Sequence, residues 1–140
     1  MSQPEGPGSA HPAARKAQVL LVEDDELSAI LATVALERFG CDVSRAGDGD
    51  EAVMAAAQQS FDLILMDYHL PLRNGLEATR LIRAATPRPA RARIPIVGLT
   101  ASSSREEQAE CLNAGMDDVL FKPFVLAELS RMLCRWIPAY

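Results

Sequence analysis

No apolar run in this chain approaches the roughly 20 residues that a bilayer-spanning helix requires, and no charged segment followed by an apolar one opens it. A soluble, cytoplasmic protein with no membrane partner is therefore expected. Cysteine is scarce. Cys41, Cys111 and Cys134 are odd in number, widely spaced and part of no CxxC or Cys/His pattern, which argues against a disulfide framework and a zinc site and leaves buried or half-buried free thiols. Positive charge is short as well: with a formal net charge of −5 the chain lacks the clustered cationic field that nucleic acid requires of a direct partner. No internal repeat is evident, and 140 residues make one domain with a single core.

What the chain does have is four apolar runs that each stop at a polar residue. Val19-Leu20-Leu21-Val22 ends in Glu23-Asp24-Asp25-Glu26, and Leu63-Ile64-Leu65-Met66 ends in Asp67. Ile96-Val97-Gly98-Leu99 ends in Thr100, and Val119-Leu120-Phe121 ends in Lys122-Pro123. Helical spacing recurs between these runs. Leu27, Ile30, Leu31, Val34, Ala35 and Phe39 predict a first helix stopped by Gly40, and Glu51 to Ala57 predict a second after a short strand from Asp42 to Ala46. Leu76 to Ala84 reads as a third, followed by a Pro- and Arg-rich loop from Thr86 to Arg93 and a fourth strand from Ile94 to Leu99. Ser102-Ser103-Ser104 followed by Arg105-Glu106-Glu107 reads as an N-cap with Glu in the first turn of a helix running to Asn113 and ended by Gly115. The series closes with a strand from Val119 to Phe121 and an amphipathic helix marked by Val125 to Trp136. Five β/α alternations imply a doubly wound α/β domain, a parallel sheet with helices on both faces, spanning 17–140. Met1 to Lys16, rich in Pro, Gly, Ser and Ala without an apolar period, reads as a disordered leader.

In such a sheet all strand C-termini lie on one edge, where ligands bind. The plain account of Glu23, Asp24 and Asp25 is favourable placement in the first turn of a helix. Their meeting with Asp67 changes the weighing, because like charges in one crevice repel unless a cation or proton joins them. Mg²⁺, a hard cation that takes one or two carboxylates plus water and phosphate oxygens, answers that need. Asp24 and Asp67 are the expected direct ligands, Glu23 acts through water, and Asp25 is a cap or surface residue. A carboxylate can also attack phosphorus if the charges of the passing group are neutralised. Asp67 has the best address for that nucleophile, with Lys122 and the Thr100 hydroxyl placed to hold phosphoryl oxygens. Taken singly, Lys122 is better read as a solvated lysine and Thr100 as a helix cap. Their joint position at strand ends is what chance does not supply.

These residues resemble the receiver domain of two-component response regulators, the chemotaxis-regulator or flavodoxin-like fold, over about Gln18 to Trp136. The resemblance rests on Glu23-Asp24, on Leu65-Met66-Asp67 followed by Leu70-Pro71 and Asn74-Gly75, on Leu99-Thr100-Ala101, and on Phe121-Lys122-Pro123-Phe124. It implies a five-stranded sheet in the order 2-1-3-4-5, and an Asp67 phosphorylated, with Mg²⁺, by a phosphohistidine on a sensor histidine kinase or a histidine phosphotransfer domain. It further implies metal contacts from Glu23, Asp24, Asp67 and the main-chain carbonyl of His69, phosphoryl contacts from Thr100 and Lys122, and a cis Lys122-Pro123 bond. The segments Ile94 to Lys122 and Leu76 to Arg83 look most like receivers in hybrid sensor kinases or phosphorelays, so a covalently linked kinase domain or a downstream protein is a further expected partner. One departure stands out: where receivers often carry an aromatic switch residue in strand five, this chain has Val119.

Three other functions compete with this one. A Mg²⁺-dependent phosphohydrolase with an aspartyl phosphate intermediate typically places a second acid two residues after the nucleophile, where this chain has His69. A pseudo-receiver that only binds partners sits poorly with a full set of acidic, Thr and Lys positions. A flavodoxin-type electron carrier needs a phosphate-cradling loop after strand one, where acids stand instead. Elsewhere, Arg80, Arg83, Arg88, Arg91 and Arg93 read as a solvated helix end and loop, Trp136 as core or interface filler, and Gly75 as a turn residue.

Overall fold

The computed structural model describes residues 16–71, 73–85, 93–101 and 104–137. Apart from Lys16 and Arg93, the leader expected up to Lys16 and the loop expected from Thr86 lie outside the described residues. Strands and helices alternate as β1 (Ala17–Val22), α1 (Glu26–Arg38), β2 (Cys41–Ala46), α2 (Gly49–Gln58), β3 (Leu63–Asp67), α3 (Gly75–Ala85), β4 (Ile96–Thr100), α4 (Arg105–Ala114), β5 (Asp118–Phe121) and α5 (Leu126–Trp136). All strand pairings are parallel and the order is β2-β1-β3-β4-β5. The β/α alternation predicts the parallel sheet, and the receiver resemblance implies the flavodoxin-like strand order found here.

Local chemistry sets the ends. Asp25, Asp48 and Ser104 cap α1, α2 and α4 by accepting backbone N–H groups of the first turn. Gly40 and Gly115 take positive φ beyond the ends of α1 and α4, at 84° and 114°. β4 starts at Ile96, two residues later than expected, because Pro95 has no N–H to give the ladder and contributes only its carbonyl, which accepts from Ile64 N.

Strand alternation divides the core in two. Val19, Leu21, Leu63, Leu65, Val97 and Leu99 pack with Ala29, Ala32 and Leu36 of α1 and Leu129, Met132 and Leu133 of α5. Leu20, Val22, Ile64, Met66 and Ile96 face the other way, toward Ala52 of α2, Ala78 and Ile82 of α3 and Cys111 of α4. In α1 the buried stripe is thus alanine-rich. The large residues whose spacing predicts the helix turn outward: Leu27, Ile30, Leu31 and Val34 are 65, 51, 62 and 53% exposed. Small side chains let this helix lie close to the sheet, so its bulk points away from it.

Two other expectations need correcting. Cys134 is exposed, unlike Cys41 and Cys111, because it falls on the outer side of α5 while Met132 and Leu133 take the core. The arginine run is not uniformly solvated. Arg83 donates to Gly115 O at 2.9 Å, Ile94 O at 2.6 Å and Asp117 at 2.8 Å, and Arg93 donates to the same Asp117 at 2.7 Å. Asp117 also accepts from Ile96 N at 2.9 Å. The acid that these arginines lack nearby in sequence comes from the α4–β5 turn, and the group ties α3 to the start of β4. Arg88 and Arg91 lie outside the described residues.

Candidate functional site

Register brings the strand tips together. Val22 pairs with Met66, so the next residues, Glu23 and Asp67, leave the sheet side by side; Thr100 is level with Phe121, one residue short of Lys122. Alternation then chooses the face. Glu23 and Asp67 continue the Val19-Leu21 and Leu63-Leu65 series, and Lys122 continues from Leu120, all on the α1 and α5 side. Glu23 and Asp67 are nonetheless almost fully buried, at 2 and 5% exposure. Two acids so placed demand compensation.

Lys122 supplies part of it. Its ammonium lies 2.7 Å from Glu23 Oε1 and 3.3 Å from Asp67 Oδ2. One cation between two buried carboxylates leaves Asp67 short of neutralisation. Burial first, then the hydrogen bond and the charge of Glu23, push the Asp67 carboxyl up to about 7, against the opposing pull of Lys122 and of the His69 N–H, which donates to Oδ1 at 3.2 Å. For Lys122, burial acts to lower the pKa, but the bond to Glu23 and the charges of Asp67 and Glu23 win, and the net shift is upward. A fixed ammonium at this rim is the result.

Asp24 completes the acidic set. Carboxylate oxygens of Glu23, Asp24 and Asp67 lie within 4.8 Å of one another, with Asp24 exposed. Two oxygens on one octahedral Mg²⁺ sit about 3 to 4 Å apart, given bonds of about 2.1 Å, so the donor set fits such an ion with small side-chain adjustment. The backbone of this loop is held from below. Arg45, near the end of β2, donates to Glu23 O at 3.1 and 3.0 Å and to Asp24 O at 3.3 Å, which fixes both carbonyls on the guanidinium. The Asp25 side chain caps α1, accepting from Ser28 N at 2.8 Å, while its backbone N–H donates to Glu23 Oε2 at 3.3 Å.

The β3 exit is equally fixed. Tyr68 N donates to Leu99 O at 2.8 Å, and Gly75 approaches so closely that a Cβ there would lie 2.2 Å from Asp67 O. Gly75 is therefore required by proximity. On the other side of the rim, the Lys122-Pro123 bond is cis, as the resemblance implies.

Thr100 is not the cap of α4, which is Ser104. Its carbonyl accepts from Lys122 N at 2.8 Å, and its side chain continues the Ile96-Gly98 series toward α4, where the hydroxyl donates to Glu107 at 3.0 Å. Tyr68 continues the Met66 series and donates its phenol to Glu110. The bond to Glu110 is the main reason the Tyr68 pKa rises to about 12, with partial burial and the Glu110 charge adding to it. Sequence reasoning missed Arg45, Glu107 and Glu110. A basic residue closing β2, and two acids one turn apart just beyond Thr100, were the signals available.

Comparison with known proteins agrees with this geometry. The family model described as the response regulator receiver domain matches residues 19–134. The chain belongs to that family. Among curated proteins, the receiver is 37% identical over 122 residues to the sensor protein GacS of Pseudomonas syringae pv. syringae, covering 87% of this chain and 14% of that protein. It is 41% identical over 123 residues to the transcription factor SKN7 of Chaetomium thermophilum, covering 86% and 15%. The chain thus spans about one-seventh of the length of these curated relatives. Among solved structures, the receiver domain of the sensor histidine kinase PA1611 from Pseudomonas aeruginosa PAO1, with a magnesium ion in its active-site cleft, is 42% identical with a TM-score of 0.79, covering 89% of this chain and 99% of that one. The receiver domain of Ssk1 from Saccharomyces cerevisiae, crystallised with the histidine phosphotransfer protein Ypd1, is similar at 32% identity and a TM-score of 0.79, with 88 and 90% covered. Receivers are modules of two-component and phosphorelay signalling, and this receiver has the acidic cluster of the site in place.

Proposed function

We propose that this receiver, spanning 17–140, accepts a phosphoryl group on Asp67 from a phosphohistidine and thereby switches a partner interaction. The observation that carries the reading is Asp67 buried between Glu23, Asp24 and Lys122 at the mouth of the central strand. In the transfer, an Asp67 carboxylate oxygen forms a bond to phosphorus as the P–N bond to the donor imidazole breaks, and the imidazole nitrogen keeps the electron pair. Lys122 offsets charge on one phosphoryl oxygen, and the Thr100 hydroxyl with a backbone N–H at the β4 rim meets another. Asp24 and Asp67 would hold Mg²⁺ directly, with the His69 main-chain carbonyl, and Glu23 through water; bound there, the ion neutralises oxygens of the transferred group. No step turns over a metabolite, so the role is that of a switch.

The partner reading rests on the outer face of α1. Leu27, Ile30, Leu31 and Val34 form one exposed stripe, and Val125 and Leu126, at 61 and 45% exposure, follow Lys122-Pro123 at the same side of the sheet. Such a surface suits the helices of a phosphotransfer domain or of a kinase carrying the phosphohistidine, whether separate or in the same polypeptide. Among the described residues no helix is long and apolar enough to cross a membrane, and we place the module in the cytoplasm.

Incubation with acetyl phosphate and Mg²⁺, followed by intact mass, tests the reading. A gain of roughly 80 Da that is lost in Asp67→Asn supports it. Continuous release of phosphate from many phosphoesters would instead favour the phosphohydrolase.

A further inference from the structure

Tyr68 follows Asp67 at the exit of β3 and Thr100 ends the neighbouring β4, and both hydroxyls are taken by α4. Thr100, 1% exposed at the end of β4, donates to Glu107 Oε1 at 3.0 Å. Tyr68 donates to Glu110 Oε1. Glu107 and Glu110 lie three residues apart and so on the same edge of the helix. The first two turns of α4 are therefore fastened to the phosphorylation rim by two carboxylates. As a first-turn acid, Glu107 also benefits from the helix dipole, but that interaction is available in any rotamer and does not explain why its oxygen meets the Thr100 hydroxyl.

A threonine hydroxyl has one proton to donate. While it serves Glu107 it cannot serve a phosphoryl oxygen. We propose that Glu107 is a gating residue, whose carboxylate competes with the phosphoryl group on Asp67 for the Thr100 hydroxyl, so that phosphorylation releases the first turn of α4 while Glu110 keeps the next turn tied to Tyr68. The inference rests on Asp67 as the acceptor. It gives the Thr100 signal an outlet in a receiver whose β5 carries the half-buried Val119 in place of an aromatic residue. The released element is the N-terminal turn of α4, held by its Ser104 cap, and its exposure is the readable difference between the two states.

Beryllofluoride with Mg²⁺ mimics the phosphoryl group and tests the gate on the whole chain. Removal of a competing charged acceptor in Glu107→Ala is expected to tighten beryllofluoride binding by roughly 5- to 20-fold, with Glu107→Gln in between. In a Thr100→Ala background the same substitution should change affinity by less than about 2-fold, because the hydroxyl in dispute is gone. Amide exchange in the first turn of α4 should rise on beryllofluoride binding in the wild type and be already high in Glu107→Ala. An unchanged or weakened affinity in both Glu107 variants, or an equal gain with and without the Thr100 hydroxyl, overturns the gate while leaving the acceptor reading intact. Failure of the wild type to bind beryllofluoride or gain phosphoryl mass overturns both.

Discussion

Asp67 is held in a folded state that favours its protonated form, and this has a measurable cost. The carboxyl is lifted from 3.8 to about 7, chiefly by burial and then by Glu23. Roughly three units at about 1.36 kcal/mol each set an upper bound of about 4 kcal/mol on the stability lost when it ionises. The Lys122 ammonium, 3.3 Å from Asp67 Oδ2, offsets part of that cost and reduces the figure to about 2 kcal/mol. Because the folded-state value is the higher one, the folded chain binds this proton more tightly than the unfolded chain. The favourable contribution is complete below about pH 4 and is lost as pH rises through about 7. Asp67→Asn, which cannot ionise, should therefore be more stable than the wild type at about pH 8 without divalent metal, by about 2 kcal/mol or roughly 6 to 10 °C in Tm, with the gap narrowing toward about pH 4. Urea unfolding of both proteins in chelator across that range measures it. Adding Mg²⁺ should close the gap by stabilising only the wild type. A variant less stable than the wild type at about pH 8, or a gap that does not depend on pH, would refute the reasoning.

Gly75→Ala places a Cβ 2.2 Å from the Asp67 carbonyl oxygen, which only a shift of the β3 exit can relieve. A loss of about 2 to 4 kcal/mol in urea unfolding and a weaker Mg²⁺ titration are expected, and a stability equal to the wild type would show that the loop yields freely. Leu27→Asp combined with Leu31→Asp alters residues that touch little of the core and should change stability by less than about 1 kcal/mol. Phosphotransfer from a phosphohistidine donor should slow by about 10-fold or more while labelling by acetyl phosphate is unchanged. Equal slowing of both reactions would remove α1 from the docking surface.

The architecture was legible because each strand and helix carries its own period and its own punctuation. Four polar residues closing four apolar runs located the site, and period two within the strands suffices to put Glu23, Asp67 and Lys122 on one face once the register is known. The register is what sequence lacks. Thr100 shows the consequence: grouped with Lys122 by its position at a strand end, it sits one residue out of phase and turns toward α4, so its carboxylate partner is a residue that reads locally as a helix-start acid. Arg83 and Asp117 failed for the same reason, since 34 residues separate two groups that meet at 2.8 Å.

Helix α1 carries a different lesson. Its apolar residues cover both sides, with Ala29, Ala32 and Leu36 inward and Leu27, Ile30, Leu31 and Val34 outward, and a helix apolar all round is ordinarily read as buried on every side. Periodicity marks such a helix but cannot say which stripe is the core. The sheet decides by distance: alanines allow close approach, and the larger stripe is left facing solvent at the edge of the acidic pocket. An exposed apolar row has no reason within this domain's own stability to be there, since polar residues at the same positions would serve the fold as well. Its place at the edge of the acidic cluster fits the proposed donor docking, in which the pocket and the stripe would be two parts of one surface.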